Sequence, residues 1–414
     1  MATIVSGGAD RFGMSERVEP APGVRLYYLD DTGLLFCEAR QELHLLNTTA
    51  TLIWSLLEEH EGDEAATAAA LAAIHGVDTA RSRAYVEQAV AEWRTKEFLG
   101  SEAVTPEPAP APVPSAPPLV GEARHAARRY RLLSSRFLIR FSSEPQMAVV
   151  APVLEHLADD GTKTPTAAID IIESDRRIAV YRDREFVAAC DALDQLAPIV
   201  KATVWNTVLR DEAYFLDIHA GVVSDGKRCL LLPAAPGSGK STLTAALVHA
   251  GLEFFSDEVA LLEDATLDVL PVPLALCVKD TGIDALASRY PRLRTLAIHR
   301  RGDGKNVAYL PPTREQRPVK DEARPVRALV FPRFAQGETT SLAPLPRPAA
   351  LQALLSQCLR VAQRLDVHRV ERLVQWISTL PCYALRHGDT ESAVAAVLGL
   401  LPAHGGRQAA RRNR

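Results

Sequence analysis

A lysine and a serine that follow a glycine-containing loop are the residues best suited to chemistry. The segment Ala234-Ala-Pro-Gly-Ser-Gly-Lys-Ser241 has the spacing of a Walker A phosphate-binding loop, with Ala234 in place of the first glycine. It follows the apolar run 229–233, which predicts a buried strand, and precedes a predicted helix over 241–250 that Gly251 ends. Because a helix N-terminus and inward-pointing N–H groups attract anions, this context predicts phosphate binding.

Each residue of the loop has an expected role in holding a nucleotide. Gly237 and Gly239 let backbone N–H groups point inward, and Lys240 reaches the β- and γ-phosphates. The hydroxyl of Ser241 is expected to bind Mg²⁺, and Thr242 lies near the α-phosphate. The expected cofactors are ATP and Mg²⁺, and the predicted nucleotide-binding residues are Ala234, Ala235, Pro236, Gly237, Ser238, Gly239, Lys240, Ser241 and Thr242.

A histidine precedes the loop in what reads as a strand. The apolar runs 216–224 and 227–232 flank Asp225-Gly226, a strong signal for a two-residue hairpin turn. With that turn, paired residue numbers sum to 451, so His219 lies opposite Leu232. The pattern therefore predicts that His219 lies at the mouth of the loop.

An acidic pair follows the loop. The run 252–256 predicts a strand that ends in Asp257-Glu258, which is a Walker-B-like arrangement. In such a pair one carboxylate can hold Mg²⁺ while the other accepts a hydroxyl proton. The predicted catalytic residues are His219, Lys240, Asp257 and Glu258, and the predicted metal ligands are Ser241 and Asp257.

A proline-rich segment divides the chain. Seven of its 28 prolines fall between Pro106 and Pro118, where they exclude helix and central strand and favour polyproline II. The alternating Ala-Pro has no basic anchor, which favours a semi-rigid spacer over an SH3-type ligand. The predicted organisation is an N-terminal module at 18–100, a linker at 101–123, a small α/β subdomain at 124–205, a nucleotide-binding domain at 206–403 and a disordered basic tail at 404–414.

The N-terminal module has a winged-helix-like order of elements. Three strands are predicted at Val24–Leu29, Leu34–Cys37 and Glu42–Leu46, followed by helices at Ala50–Glu58, Asp63–Ile74 and Thr79–Lys96. The segment 45–57, Leu-Leu-Asn-Thr-Thr-Ala-Thr-Leu-Ile-Trp-Ser-Leu-Leu, resembles the PqqD-like peptide chaperones, also called RiPP recognition elements, and the resemblance covers residues 20–100. It implies that a peptide binds as an added strand beside the third strand and against the last helix. The alternative is a plain, DNA-binding winged helix, but the third helix mixes charges and has no basic stripe.

The remainder of the chain resembles the HPr kinase/phosphorylase family. His219, the loop 234–241 and Asp257-Glu258 occur in the order and spacing of that family, and residues 130–400 are similar to the HprK-related kinases that accompany PqqD-like chaperones. The points of resemblance are Ser256–Leu262, Pro271–Lys279, Val326–Phe334 and Tyr383–Thr390. The resemblance implies that Lys240 binds phosphate and that the second acid accepts the proton.

The chain also departs from that family. The family has Asp-Asp where this chain has Asp257-Glu258, so Asp257 as the base and Glu258 as the metal ligand is the other possibility. The family's glutamate-containing catalytic loop and phosphorolysis segment are not recognisable, so the resemblance does not imply phosphorylase activity. Its late arginine has no clear counterpart either, and the candidates are Lys279, Arg300, Arg301 and Arg333.

Composition gives the expected setting. The net charge of −4 gives no reason to expect nucleic acid or an anionic membrane, and no run of about 18 apolar residues or signal peptide is present. The expected location is cytoplasmic, with six scattered, reduced cysteines. The expected fold is mixed α/β, with a P-loop HPr-kinase-like domain and a PqqD-type module, and a homo-oligomer is possible.

The expected function is ATP-dependent transfer of a phosphoryl group to a hydroxyl, such as that of serine, on a peptide or small protein. In this interpretation the N-terminal module delivers the peptide. Two alternatives remain open: a nucleotide-gated peptide-binding protein without transfer activity, and a kinase of a free small molecule.

Overall fold

The computed structural model describes residues 17–76, 78–100, 125–174 and 177–402. The linker predicted at 101–123 and the tail predicted at 404–414 lie outside the described residues. The described residues form a mixed α/β protein with five sheets and ten α-helices. None of these helices combines the length and the apolar content needed to cross a membrane.

The elements are numbered in chain order. The strands are β1 (Val24–Leu29), β2 (Thr32–Cys37), β3 (Glu42–Leu45), β4 (Ala126–Leu132), β5 (Ser135–Phe141), β6 (Ala167–Ser174), β7 (Arg177–Arg182), β8 (Glu185–Cys190), β9 (Tyr214–Ile218), β10 (Ala220–Ser224), β11 (Cys229–Pro233), β12 (Glu253–Ser256), β13 (Ala260–Glu263), β14 (Val269–Leu270), β15 (Leu276–Lys279), β16 (Ile298–Arg300), β17 (Asn306–Leu310), β18 (Val326–Phe334), β19 (Ser341–Pro344), β20 (Cys358–Val361) and β21 (Cys382–His387). The α-helices are α1 (Thr48–Glu59), α2 (Glu64–His75), α3 (Thr79–Thr95), α4 (Glu144–Leu154), α5 (Leu196–Asp211), α6 (Lys240–His249), α7 (Asp280–Ala287), α8 (Arg347–Leu355), α9 (Val367–Ser378) and α10 (Thr390–Leu398). Short 3-10 helices lie at Glu155–Leu157, Leu193–Gln195, Pro291–Thr295 and Arg314–Gln316.

The described residues fall into two compact units. One contains the N-terminal residues up to 100 together with Arg364–Ser378, and the other contains the rest. The chain therefore passes from the second unit into the first at Arg364 and leaves it again after Ser378. The predicted domain boundaries differ at this point, because they assign α9 to the nucleotide-binding domain at 206–403.

The first unit consists of an antiparallel sheet in the order β1-β2-β3 and three helices. Helix α1 begins after Asn47, whose side chain accepts a hydrogen bond of 2.8 Å from the Ala50 N–H. Two buried tryptophans, Trp54 of α1 and Trp93 of α3, meet edge to face at 5.0 Å between ring centroids. The three strands and three helices occur at the positions that the sequence predicts, within two residues at each end.

Residues 364–378 are tied to the first unit by polar contacts. The hydroxyl of Tyr27 in β1 donates to the carbonyl of Val367 at 3.0 Å. The side-chain amide of Gln41 donates to the Leu365 carbonyl at 2.8 Å and accepts from the Leu365 N–H at 2.5 Å. These contacts lie at β1 and at the turn between β2 and β3, whereas β3 forms the other edge of the sheet.

The second unit contains four sheets. A five-stranded sheet in the order β4-β5-β6-β7-β8 shares an apolar core with α4 and α5. A six-stranded sheet has the order β12-β10-β11-β18-β21-β19, with β11, β18 and β21 parallel to each other. The two smaller sheets have the orders β14-β13-β9-β20 and β15-β17-β16. None of the six cysteines forms a disulfide, and five are buried.

The hairpin before the loop is longer than predicted. Ser224 pairs with Cys229 and Ala220 with Pro233, so paired numbers sum to 453, and the predicted sum of 451 is wrong. The turn has four residues because the Asp225 carboxylate accepts from the N–H groups of both Lys227 and Arg228, each at 2.8 Å. If this register is continued by one pair beyond Ala220 and Pro233, His219 lies opposite Ala234, which is nearer the loop than predicted.

Candidate functional site

The glycine-rich loop 234–239 connects β11 to α6. Gly237 and Gly239 have φ of 92° and 84°, in the left-handed region that glycine adopts without strain. A Cβ at Gly237 would meet nothing within 4 Å, whereas one at Gly239 would lie 3.1 Å from the Cβ of Phe334. The Phe334 N–H donates to the Ser238 carbonyl at 3.1 Å, so β18 fixes the end of the loop. The buried hydroxyl of Ser238 has no partner among the described residues.

Lys240 begins α6 and points toward the acidic pair. Its side chain is 6% exposed, and its Nζ donates a hydrogen bond to the backbone carbonyl of Asp257. Burial lowers the pKa of Lys240, although the charges of Asp257 and Glu258 oppose this. Ser241 and Thr242 are half-buried in the first turn of the helix. The ammonium group, the helix N-terminus and the open face at Gly237 thus suit an anionic ligand.

The acidic pair lies in the turn between β12 and β13. The hydroxyl of Ser256 accepts from the N–H groups of Glu258 and Val259, at 3.3 and 3.1 Å, and so fixes the turn. Asp257 is 1% exposed, and its Oδ2 accepts from the Cys277 N–H at 2.9 Å. Burial raises the pKa of Asp257, and the adjacent charge of Glu258 raises it further.

Glu258 is the more accessible of the two acids, with 35% of its side chain exposed. Its Oε2 forms an ion pair with Lys201 of α5, and its Oε1 lies 3.6 Å from Nη1 of Arg301. Burial alone would raise the pKa of Glu258, but the positive charges of Lys201, Lys240 and Arg301 outweigh it and lower the pKa. Glu258 is therefore held as a carboxylate.

His219 lies where the chain crosses from one sheet to another. The run 216–224 is two strands, β9 and β10, and not the single strand that the sequence predicts. The acidic pair lies at a second crossing, between β12 and β13. Because β9 pairs with β13 and β10 with β12, the two crossings face each other and bring His219 to the acidic pair.

The imidazole of His219 is kept neutral by its surroundings. Burial lowers the pKa of His219 to about 4, and the charges of Lys240, Lys279 and Arg301 act in the same direction. The Glu258 carboxylate opposes them. A neutral imidazole can donate a hydrogen bond from one nitrogen and accept one at the other.

Two of the four candidate basic residues lie at the site: Arg301, and Lys279, whose charge lowers the pKa of His219 and of Lys240. Arg301 contacts Glu258, whereas Arg300 is paired with Asp194 at 3.5 Å and Arg333 is exposed. The sequence analysis missed Lys201. Its signal was a lysine on the apolar stripe of α5, where Ala197, Val204 and Val208 occupy the same face.

His387 is a second residue that the sequence analysis did not single out for the site. It ends β21, is 2% exposed, and packs against Phe334 with ring centroids 5.5 Å apart. A Cβ at Gly239 would lie 3.8 Å from its Cε1 and Nε2, so the imidazole lies directly behind the loop. Neither ring nitrogen has a hydrogen-bond partner of good geometry among the described residues. Burial lowers the pKa of His387, although the Asp389 backbone and carboxylate oppose this.

Comparison with known proteins identifies the N-terminal module. Residues 29–99 match the family model of Coenzyme PQQ synthesis protein D (PqqD), which confirms the predicted PqqD-like domain. The match covers less than a fifth of the chain and concerns this module alone. No curated protein matches the chain. The resemblance of residues 130–400 to HprK-related kinases stays a prediction.

Proposed function

We propose that this protein is an ATP-dependent kinase that phosphorylates a hydroxyl, such as that of serine, on a peptide or small protein captured by its PqqD-like module. The observation that carries the proposal is the convergence of Lys240, the acidic pair and His219 at the glycine-rich loop. These residues come from three separate segments of the chain: His219, the loop with Lys240, and the acidic pair. Phosphoryl transfer needs mainly positioning and charge neutralisation, which this set of side chains can supply.

The loop and the first turn of α6 would hold the nucleotide. Gly237 is open on the side where a Cβ would stand and leaves room for phosphate against the backbone, and the free hydroxyl of Ser238 can donate to a phosphate oxygen. Lys240 would exchange its contact with the Asp257 carbonyl for one with phosphate. Ser241 and Asp257 would hold Mg²⁺, which neutralises phosphate charge when it is bound.

Glu258 would face the acceptor hydroxyl and take its proton. It is the more accessible member of the pair, whereas Asp257 is buried and fixed by the Cys277 N–H. Its lowered pKa makes it a weak base, but a loose transition state depends more on orientation than on basicity. Lys201 and Arg301 would aim this carboxylate and keep it ionised.

His219 would orient the acceptor hydroxyl. Its lowered pKa favours a neutral imidazole at physiological pH. Because a neutral ring carries no positive charge, His219 is less suited to stabilising phosphate charge directly. A hydrogen bond from the acceptor hydroxyl to one ring nitrogen would keep that oxygen near Glu258.

The first unit would bind the peptide along β3. PqqD-type domains bind peptide substrates in RiPP biosynthesis, and β3 is an edge strand of the described sheet. Nε2 of His44 in β3 lies 3.2 Å from Nζ of Lys96, directly after α3, so strand and helix border one surface. On α3, the 40% exposed Tyr85 offers an aromatic contact. The linker and the excursion at 364–378 both join this unit to the second, which would raise the local concentration of the peptide.

The test is incubation of the full chain with ATP labelled on its γ-phosphate, Mg²⁺ and peptides encoded beside the gene. We expect label on a peptide hydroxyl with the wild type and none with Lys240→Met. Lys227→Met, in the exposed hairpin turn, is the matched control and should behave like the wild type.

Two other results would redirect the assignment. Peptide binding that depends on ATP without any transfer of label would identify a nucleotide-gated binder. Label on a free metabolite but on no peptide would identify a small-molecule kinase. Either result would contradict the proposed reaction.

A further inference from the structure

A pocket of about 500 Å³ lies in the second unit, between α4 and the segments that flank β16 and β17. Its size is within the range of roughly 300 to 1,000 Å³ that is typical of small-molecule sites. It is distinct from the glycine-rich loop, since none of the residues 234–242 lines it. Apolar residues such as Val153 and Leu296 form much of its wall.

The charged lining of this pocket is mainly positive. Arg292, Arg314 and Arg317 line it, and Glu155 is its single acidic residue. Among the described residues none of these arginines forms an ion pair with a carboxylate. Arg317 donates from Nη1 to the carbonyl of His156, while its buried Nε has no partner in the described part of the chain. Arg292 donates to the carbonyl of Pro311, and Asp321 and Glu315 lie near enough to Arg317 to act on its pKa. The lining still carries more positive than negative charge, which favours an anionic occupant.

Two histidines add hydrogen-bonding capacity of a different kind. Nε2 of His156 lies 2.7 Å from the carbonyl of Pro273, and because a carbonyl only accepts, Nε2 carries the hydrogen. Burial lowers the pKa of His156 to about 3, so Nδ1 remains an unprotonated acceptor. This Nδ1 has no partner among the described residues, and neither has Nδ1 of His299, which is 3% exposed. A buried acceptor without a donor favours a ligand that brings a hydroxyl group.

We infer that this pocket binds a small organic anion that carries at least one hydroxyl group besides its phosphate or carboxylate. The arginines neutralise the anionic head, and Nδ1 of His156 accepts from the hydroxyl. The pocket also adjoins the candidate site. Tyr309 lines it, and the Tyr309 ring centroid is 5.2 Å from Nζ of Lys201, the partner of Glu258. The inference does not depend on kinase activity.

Calorimetric titration of the full chain with small probes tests the inference. Glycerol 3-phosphate and glycerate carry the two possible anionic heads, and uncharged glycerol is the control probe. We expect at least one of the two anions to bind and glycerol to give no measurable heat. Whichever anion binds more tightly identifies the head group that the pocket prefers.

Substitutions then locate the binding. Arg292→Gln and Arg314→Gln should each lower the affinity for the anion by at least about fivefold, because each removes one charge-assisted contact in a partly exposed setting. Arg294→Gln is the matched control, since Arg294 is exposed in the same 3-10 helix as Arg292 but does not line the pocket. It should bind like the wild type.

A last variant distinguishes binding of the probe in the pocket from binding at the glycine-rich loop. Lys240→Met removes the loop's lysine and should leave the affinity for the probe unchanged. The inference is overturned if neither anion binds, if Arg292→Gln and Arg314→Gln bind like the wild type, or if binding is lost in Lys240→Met. Methyl phosphate binding as tightly as glycerol 3-phosphate would remove the role of the hydroxyl group.

Discussion

Lys201 of α5 and Glu258 of the turn after β12 form an ion pair although 57 residues separate them in the chain. The lysine is 5% exposed, so its charge has little other compensation than the acidic pair. Burial alone would lower the pKa of Lys201, but the charges of Glu258 and Asp257 outweigh burial and raise it. The region predicted as a small subdomain thus supplies a charged side chain to the candidate site.

Removing this lysine should change the pH dependence of the reaction. In Lys201→Met the pKa of Glu258 rises, so the carboxylate becomes protonated at a higher pH as the solution is acidified. The acid limb of the kcat/KM profile should therefore move to higher pH, with kcat at pH 7 lower by about tenfold or more. A rate profile that is unchanged would show that the ion pair does not act on the reacting carboxylate.

His219 should not take up a proton in the physiological range. Its pKa is lowered to about 4, whereas an unfolded histidine titrates near 6.5. The unfolded chain therefore binds this proton first, and the contribution of His219 to stability falls as the pH drops below about 6.5. NMR titration of ¹³C-labelled imidazoles, with His219→Asn to assign the signal, should give a midpoint below 5. A midpoint above 6 would contradict the neutral role proposed for this residue.

Gly239→Ala should damage the loop more than its backbone angle alone explains. An alanine with φ near 84° costs about 1 to 2 kcal/mol, and its Cβ would also crowd Phe334 at 3.1 Å. Gly226→Ala is the matched control, because Gly226 has φ of 92° in the hairpin turn with nothing within 4 Å of a Cβ. Both variants should lose stability in thermal unfolding. Only Gly239→Ala should lose nucleotide affinity, and equal affinities in the two variants would contradict the role of the loop.

Asp217 should be a source of instability at neutral pH. It is fully buried in β9, its oxygens have no hydrogen-bond partner of good geometry among the described residues, and the nearest guanidinium, Arg360, is 4.0 Å away. Burial raises the pKa of Asp217 to about 6, although the charge of Arg360 and a hydrogen bond from the Trp205 side chain oppose the shift. The folded state therefore prefers the protonated acid. The loss of stability caused by ionising the buried Asp217 is absent below the unfolded pKa of 3.8 and complete above about 6.

Asp217→Asn tests this cost. The variant should be more stable than the wild type at pH 8, by about 2 kcal/mol, and the difference should disappear near pH 4. The exposed Asp160→Asn serves as the control and should change stability little at either pH. Urea unfolding at the two pH values gives the measurement. A variant less stable than the wild type at pH 8 would mean that the Asp217 carboxylate is well compensated.

Local signals were sufficient to predict the PqqD-like module and the loop. The Asn47 cap, the turn before β2 and the apolar spacing of α3 act within a few residues, so they can be read directly from the sequence. The same holds for the strand and helix that flank the loop, and for the glycines that need positive φ. The hairpin register was wrong by two because the Asp225 carboxylate caps a four-residue turn, which depends on side-chain geometry.

Contacts between residues that are distant in the sequence could not be predicted from the sequence pattern. The sequence shows His219 and the acidic pair in order. It does not show that the chain passes between the same two sheets at both places, which brings these residues together. Lys201 and His387 lie 39 or more residues from Lys240, and only tertiary packing brings them to the site. The excursion of residues 364–378 into the first unit had no local signal either, since α9 reads as an ordinary amphipathic helix.

The central claim is that peptide capture by the first unit serves phosphoryl transfer in the second. The most direct measurement compares kcat and KM for phosphorylation of the full-length peptide with those for the same peptide without the segment that the module binds. We predict phosphorylation of both at similar kcat, with KM raised for the shortened peptide. The same rise should follow Tyr85→Ala with the full-length peptide, whereas Ile74→Ala, which removes an exposed side chain from α2, should change nothing. No phosphorylation of either peptide, or one KM for both, would contradict the account.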